Sequence, residues 1–282
     1  QMPDSIYSHA AIFQLDNLFS VPARCKFALI IKGTDISNFG EVVYDGSKAF
    51  HELKIDSRTT LSVEDLLFTL DYDISIKGQY NSTLEKWIYS TQYILSEKNS
   101  ISSITHQMIQ HKVLPNGDIV LFIEAHQCEK HYRYDNIINN TKVNFPVIEF
   151  THDDLLCGFD VFYREPGSDS WEQLKTLLVN SAPIKTPFCY YKIMDRDKFV
   201  ISFTPREGFF QPKFNSEIMV KIYTTLGSKG VFKAYTGNNL AVIPNSEKYA
   251  NNAEITLMCL PIDGAVDGRD SLGLDGLQSI SA

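Results

Sequence analysis

Long hydrophobic runs are missing from this 282-residue chain. No stretch reaches the roughly 18 apolar residues that a membrane-spanning helix needs, so membrane insertion through a helix is not expected. The opening residues Gln1-Met2-Pro3-Asp4 lack the basic and apolar regions of a secretion signal, and a chain starting at Gln1 is read as a fragment or a processed product. Cysteine is scarce and scattered: Cys25, Cys128, Cys157, Cys189 and Cys259 are five in number and far apart. That pattern is not a disulfide framework and suits a reducing compartment. Positive charge is also short, with 26 Lys and Arg against 34 Asp and Glu and a net charge of −8. A duplex-DNA binder that neutralises phosphates is not expected from such a balance.

The fingerprints of common catalysis are missing too. Gly227-Ser228-Lys229-Gly230 is glycine-rich but lacks the spacing and the closing Lys-Ser/Thr of a phosphate-binding loop. No G-x-G-x-x-G and no G-x-S-x-G elbow occurs, and His51-Glu52 has no second His at the metalloprotease spacing. His126, Cys128 and His131 come closest to a metal cluster. Without a second ligand pair they read as a polar strand face followed by a turn. Asp71-Tyr72-Asp73 and Asp195-Arg196-Asp197 lack the further oxygen ligands, glycine and closing Glu of a calcium loop and read as turns or strand ends. His152, beside Asp153 and Asp154, has no nucleophile motif with it and reads as part of a polar turn. No catalytic residue, metal or cofactor is expected, and a non-enzymatic interaction or structural protein is the default.

What the chain has in quantity is aromatic side chains: 18 Phe, 14 Tyr and 2 Trp, 12 % of residues. Such residues favour strands and interfaces. Alternation at period two recurs along the chain. Residues 26–32, 51–56, 74–77, 87–95, 118–125, 142–150, 158–165, 188–194, 198–204, 217–224 and 253–260 read as strands, and Trp171 to Leu174 starts another. Pro146 marks an edge or a bulge within its strand. Leu61 to Phe68 fits a short helix or a strand equally well. Residues 100–111 carry apolar side chains at 101, 104, 108 and 109, which fits an amphipathic helix of about three turns.

The length suggests about two domains. The fold expected is mainly β with minor α: an N-terminal extension over 1–23, a first β-rich module over 24–127 and a second β-sandwich-like module over 128–225. From 226 to 282 the pattern loosens and glycine, asparagine and aspartate accumulate, which reads as an extended connector lying on a partner.

Two stretches in that region carry a likeness. Glu217 to Phe232 contains Val220-Lys221-Ile222-Tyr223-Thr224-Thr225-Leu226-Gly227-Ser228-Lys229-Gly230-Val231-Phe232. Later comes Asp267-Gly268-Arg269-Asp270-Ser271-Leu272-Gly273-Leu274-Asp275-Gly276-Leu277. Together they resemble the baseplate wedge proteins of contractile-tailed bacteriophages, the baseplate J-like family. There a "V-x-V-Y-T-T-x-G-x-x-G-N-F" strand precedes a "G-G-R-D-x-x-S-x-x-x-L-R" motif that opens a helix. Phe68-Thr69-Leu70-Asp71-Tyr72-Asp73-Ile74-Ser75-Ile76 is similar to the family's upstream "F-x-x-D-Y-D-I-x-I" strand. Gly273 and Gly276 would weaken the helix after the second motif by about 1 kcal/mol each relative to Ala.

The resemblance implies a structural virion component of the tail baseplate, assembled in the host cytoplasm. It would join copies of itself and other baseplate proteins around a six-fold ring that rearranges on contraction. It further implies that Tyr223, Phe232, Tyr235 and Tyr249 face a neighbour, and that Arg269 and Asp270 form either a helix-start ion pair or an intersubunit contact. The competing reading is a tandem β-sandwich module that binds a glycan or a protein through surface aromatics such as Trp87 or Trp171.

Overall fold

The computed structural model describes residues 19–63, 65–95, 99–137, 147–179, 181–195, 198–204, 206–233, 241–243 and 255–271. The chain is mainly β, with curled, barrel-like sheets. It divides into two compact modules, each built from separated stretches. Residues 23–129 and 230–267 make the first, and 130–229 with the segments before 23 and after 267 make the second.

The first module opens with β1 (Arg24–Ile31), where Cys25, Phe27, Leu29 and Ile31 are buried and the residues between them point outward. That is the period-two pattern of a strand with one face on a core. Helix α1 (Gly33–Phe39) follows and buries Ile36. Next come β2 (Glu41–Asp45), β3 (Lys48–Ile55), β4 (Thr60–Val63), β5 (Leu66–Leu70), β6 (Asp73–Asn81), β7 (Lys86–Ile94), β8 (Gln110–Val113) and β9 (Ile119–His126). One antiparallel sheet runs β2-β3-β6-β7. In the other, β1 pairs with β9 along its whole length, while the far edge of β9 is shared between β5 and β8.

Both sheets feed one core. Phe27, Leu29, Phe68 and Leu121 come from one sheet, and Leu53, Ile55, Ile74 and Ile76 from the other. Each such side chain contributes about 1.5–3 kcal/mol by leaving water.

The second module is a single sheet. It contains β10 (Glu129–Asn136), β11 (Val147–Thr151), β12 (Leu155–Arg164), β13 (Glu172–Leu178), β14 (Phe188–Asp195), β15 (Lys198–Ser202) and β16 (Glu217–Thr225), in the order β10-β16-β12-β13-β14-β15-β11. β13 and β14 run parallel. The sheet curls until its two ends meet. Arg133 of β10 donates to the carbonyl of Glu149 of β11 at 3.0 Å, and its guanidinium lies 4.7 Å from the Phe150 ring centre. Inside, Phe199 stacks between Phe150 and Phe159 at 4.9 and 4.3 Å.

Several expectations change. Leu61 to Phe68, left open between helix and strand, is the β4–β5 hairpin. The helix expected over 100–111 is absent. The Asn99 side chain accepts the Ile101 N–H and the Ser102 hydroxyl accepts the Ile104 N–H, local bonds that compete with helical ones. The chain then lies extended along β7, with Tyr93 N–H on Gln107 O at 2.7 Å and Ile109 N–H on Thr91 O at 2.9 Å. Ile109 is buried through that pairing rather than on a helical face.

The described part of 226–282 is woven into its own chain and does not lie free as a connector. β17 (Ala241–Ile243) pairs with β4, and β18 (Leu257–Pro261) pairs with β1, Leu29 opposite Cys259. Arg196 and Asp197, expected as the turn between β14 and β15, lie outside the described residues, as do 142–146 with Pro146.

Candidate functional site

The two glycine-bearing motifs, some forty residues apart in sequence, meet in the second module. β16 brings the first of them and is clamped along β12, where Glu217 faces Arg164 and the Arg164 Nε donates to the Glu217 carboxylate at 2.6 Å. At its far end Thr225 Oγ1 accepts the Gly227 N–H at 3.1 Å. Gly227 has φ +56°, a left-handed conformation that glycine adopts at least cost. A 3-10 turn over Gly227–Gly230 follows.

Asp270 closes the site. Its carboxylate accepts the Ser228 N–H at 2.9 Å and the Ser228 hydroxyl at 3.1 Å, as a capping residue does at a helix start. A Cβ on Gly227 would collide with the Asp270 Oδ1, so Gly227 is also required for close approach. The second motif is held from its other side. Arg269 and Val21 exchange backbone hydrogen bonds at 2.9 and 2.7 Å, and Ser271 N–H donates to Ser20 Oγ at 2.9 Å. The result is a clasp of three chain segments. Nothing in the sequence pointed to Ser20 and Val21; the tolerance of Gly227 for positive φ was the one available signal.

The predicted interface residues separate. Tyr223 is fully buried in the second module, and its hydroxyl donates to Asp160 Oδ2 at 2.8 Å. The expectation that it faces a neighbour is corrected: it is fully buried, although it lies on the face of β16 opposite the core residues Ile218, Val220 and Ile222. Phe232 is half-buried in the first module, edge-on to Phe68 at 6.0 Å, with its N–H on Ala265 O. It packs on its own core. Arg269 keeps an exposed side chain, while Asp270 serves the turn at Ser228. Tyr235 and Tyr249 lie outside the described residues, as does the stretch after 271 where a helix was expected.

The upstream motif has a different task. Asp71-Tyr72-Asp73 is the corner at which the chain leaves β5 in one sheet and enters β6 in the other. Both carboxylates are buried there. Asp73 accepts the Ser57 N–H at 2.8 Å, at the neighbouring crossing from β3 to β4. Asp71 Oδ1 lies 2.7 Å from His126 Nδ1, and the Asp71 carbonyl accepts from the Asn99 side chain at 2.9 Å.

His126, Cys128 and His131 are not gathered around one point. His126 pairs with Asp71, Cys128 Sγ lies 3.0 Å from Thr69 Oγ1, and His131 Nε2 lies 3.0 Å from Thr224 Oγ1 in the second module. Among the described residues, no group of three or more His, Cys, Asp or Glu side chains is placed to hold a metal ion. His152 Nδ1 accepts the Asp154 N–H at 3.2 Å, a local turn contact.

Of the aromatics named for the competing reading, Trp171 lies under the Arg164 guanidinium at 4.7 Å. Trp87 stacks on Tyr89, with ring centres 6.2 Å apart. No protein-family model matches the chain, and no curated protein matches it significantly.

Proposed function

We propose that this chain is a non-catalytic structural component of a contractile phage tail baseplate, a wedge protein that joins copies of itself and other baseplate proteins. The observation that carries the reading is the clasp. The two motifs behind the resemblance meet there, with Gly227, Ser228 and Asp270 in complementary roles. The third motif supports it as the carboxylate-bound corner of a two-sheet module. Curled sheets with buried aromatic stacks suit a part that transmits force between neighbours, because close-packed cores have little slack.

Inactivating the reading frame in its source genome tests the proposal. The expected result is that intact contractile tails are lost and that a plasmid copy restores them. Tails of normal length and contractility without the protein would overturn it.

A further inference from the structure

An antiparallel sheet with one face on a core normally turns polar side chains to its other face. The sheet region β8-β9-β1-β18 departs from that pattern. Alternate residues of β1 enter the core, while Lys26, Ala28 and Ile30 face outward. Their cross-strand partners share that outer face. They are Glu124, Phe122 and Val120 on β9, and Leu260 and Met258, opposite Ala28 and Ile30, on β18. Phe122, Leu260 and Met258 are 42, 40 and 46 % exposed. A contiguous apolar patch on the solvent face of a sheet marks a contact site.

Across the middle of the patch, β9 and β1 carry complementary side chains. Phe122, large, lies beside Ala28, small, and Glu124, negative, lies beside Lys26, positive. Val120 and Ile30, both branched and apolar, lie side by side at the other end. A two-fold axis parallel to the strands, midway between β9 and β1, turns the face of a second copy onto this one. It sets Phe122 of each copy over Ala28 of the other, and Glu124 of each against Lys26 of the other. Bulk then meets hollow and acid meets base, the self-complementarity that a two-fold contact requires. Area agrees with this. Strands about 4.8 Å apart, rising about 3.4 Å per residue, give the four-strand face a footprint of roughly 500 Å² over the length of β1. Two such faces together reach the ~1,000 Å² of buried surface that a specific contact needs.

We propose that this outer face is an interface between two copies of the chain, packed sheet on sheet about that axis. Sheets packed in this way lie about 10 Å apart with strands within about 30° of each other, which keeps Phe122 over Ala28 near the centre. The unbranched Met258 side chain adapts to the surface it meets. The inference does not rest on the baseplate reading. Dimerisation is measured on the isolated chain and the tail role in the source genome, so either can fail without the other.

Sedimentation equilibrium of the full chain tests the contact, with far-UV circular dichroism to check that each variant is folded. The unaltered chain is expected to pass from monomer to dimer as its concentration rises. Lys26→Glu sets glutamates against glutamates across the axis, and Glu124→Lys sets lysines against lysines, so each alone should weaken the dimer at least tenfold. Mixed in equal amounts, the two variants should pair with each other and recover the dimer, which damage to the fold of either chain cannot produce. Should a charge variant fail to fold, Ala28→Arg fills the hollow that receives Phe122 and should also weaken the dimer at least tenfold. A chain that stays monomeric at every concentration would overturn the proposal. Self-association unchanged by these substitutions would assign it to another surface and overturn it, as would a mixture no more dimeric than its two components.

Discussion

At the residue scale, single side chains hold segments that are distant in sequence. Asp270 reaches back across the sequence to cap Ser228, and Gly227 leaves it the room. Asp270→Ala should lower stability by about 1 kcal/mol, the usual cost of a lost cap. Gly227→Ala should cost at least as much, since it adds a clash to a positive φ. Thermal unfolding of both single variants and the pair should show less than additive loss, because each disrupts the same contact; strict additivity would mean that the clasp is not a unit. Tyr223→Phe should cost about 1–3 kcal/mol by stripping a partner from the buried Asp160 carboxylate. Self-association measured by sedimentation should not change, as befits a fully buried residue.

The five cysteines are all free and buried. Burial, with the nearby Asp263 charge, pushes the Cys25 thiol up to about 12, and burial with Cys25 as neighbour does the same for Cys259. Burial likewise raises Tyr93 to about 12. An unfolded thiol ionises near 9.0, so the unfolded chain loses these protons first. The stability they contribute is therefore complete below about pH 9 and lost as pH rises toward 12. Chemical denaturation between pH 8 and 11 should show that decline. At pH 8 the native protein should resist a thiol reagent such as DTNB until it is unfolded. Rapid labelling of Cys25 or Cys259 in the native state would contradict this burial.

At the element scale, the strands were the readable part. Phe27, Leu29 and Ile31 alternate with outward residues, and the sequence marks them as plainly as the structure does. Residues 100–111 misled because Ile101, Ile104 and Ile109 happen to fall near a helical period, while Asn99, Ser102 and the free edge of β7 decide the conformation. Edge and crossover features left no local signal. β2 has only one half-buried position, Val43, and β10 carries charge on both faces. The parallel pairing of β13 with β14 depends on long-range closure of the curled sheet. The resemblance motifs were visible, but their partners were not: Val21 and Ser20 meet them through backbone and hydroxyl groups that any sequence offers.

The looser composition after 226 was equally misleading, because β18 adds five residues of pairing to β1 with only Cys259 fully inward. Ending the chain after residue 254 should therefore abolish the cooperative thermal transition of the first module, followed by far-UV circular dichroism. An unchanged transition would restore the connector reading.

At the scale of the whole molecule, the chain is threaded rather than strung. It passes from the second module at 19–22 into the first, returns at 130, re-enters the first at 230 and comes back at 268. A chain routed in this way builds each module from stretches distant in sequence, and the clasp joins three such stretches within the second module. The proposed role for such a chain is that of a wedge part in a contractile tail baseplate. Immunogold labelling of purified contractile tails from the source of this sequence tests that account most directly. It predicts label confined to the baseplate end, before and after contraction. Label along the sheath, on the host surface, or absent from the particles altogether would contradict it.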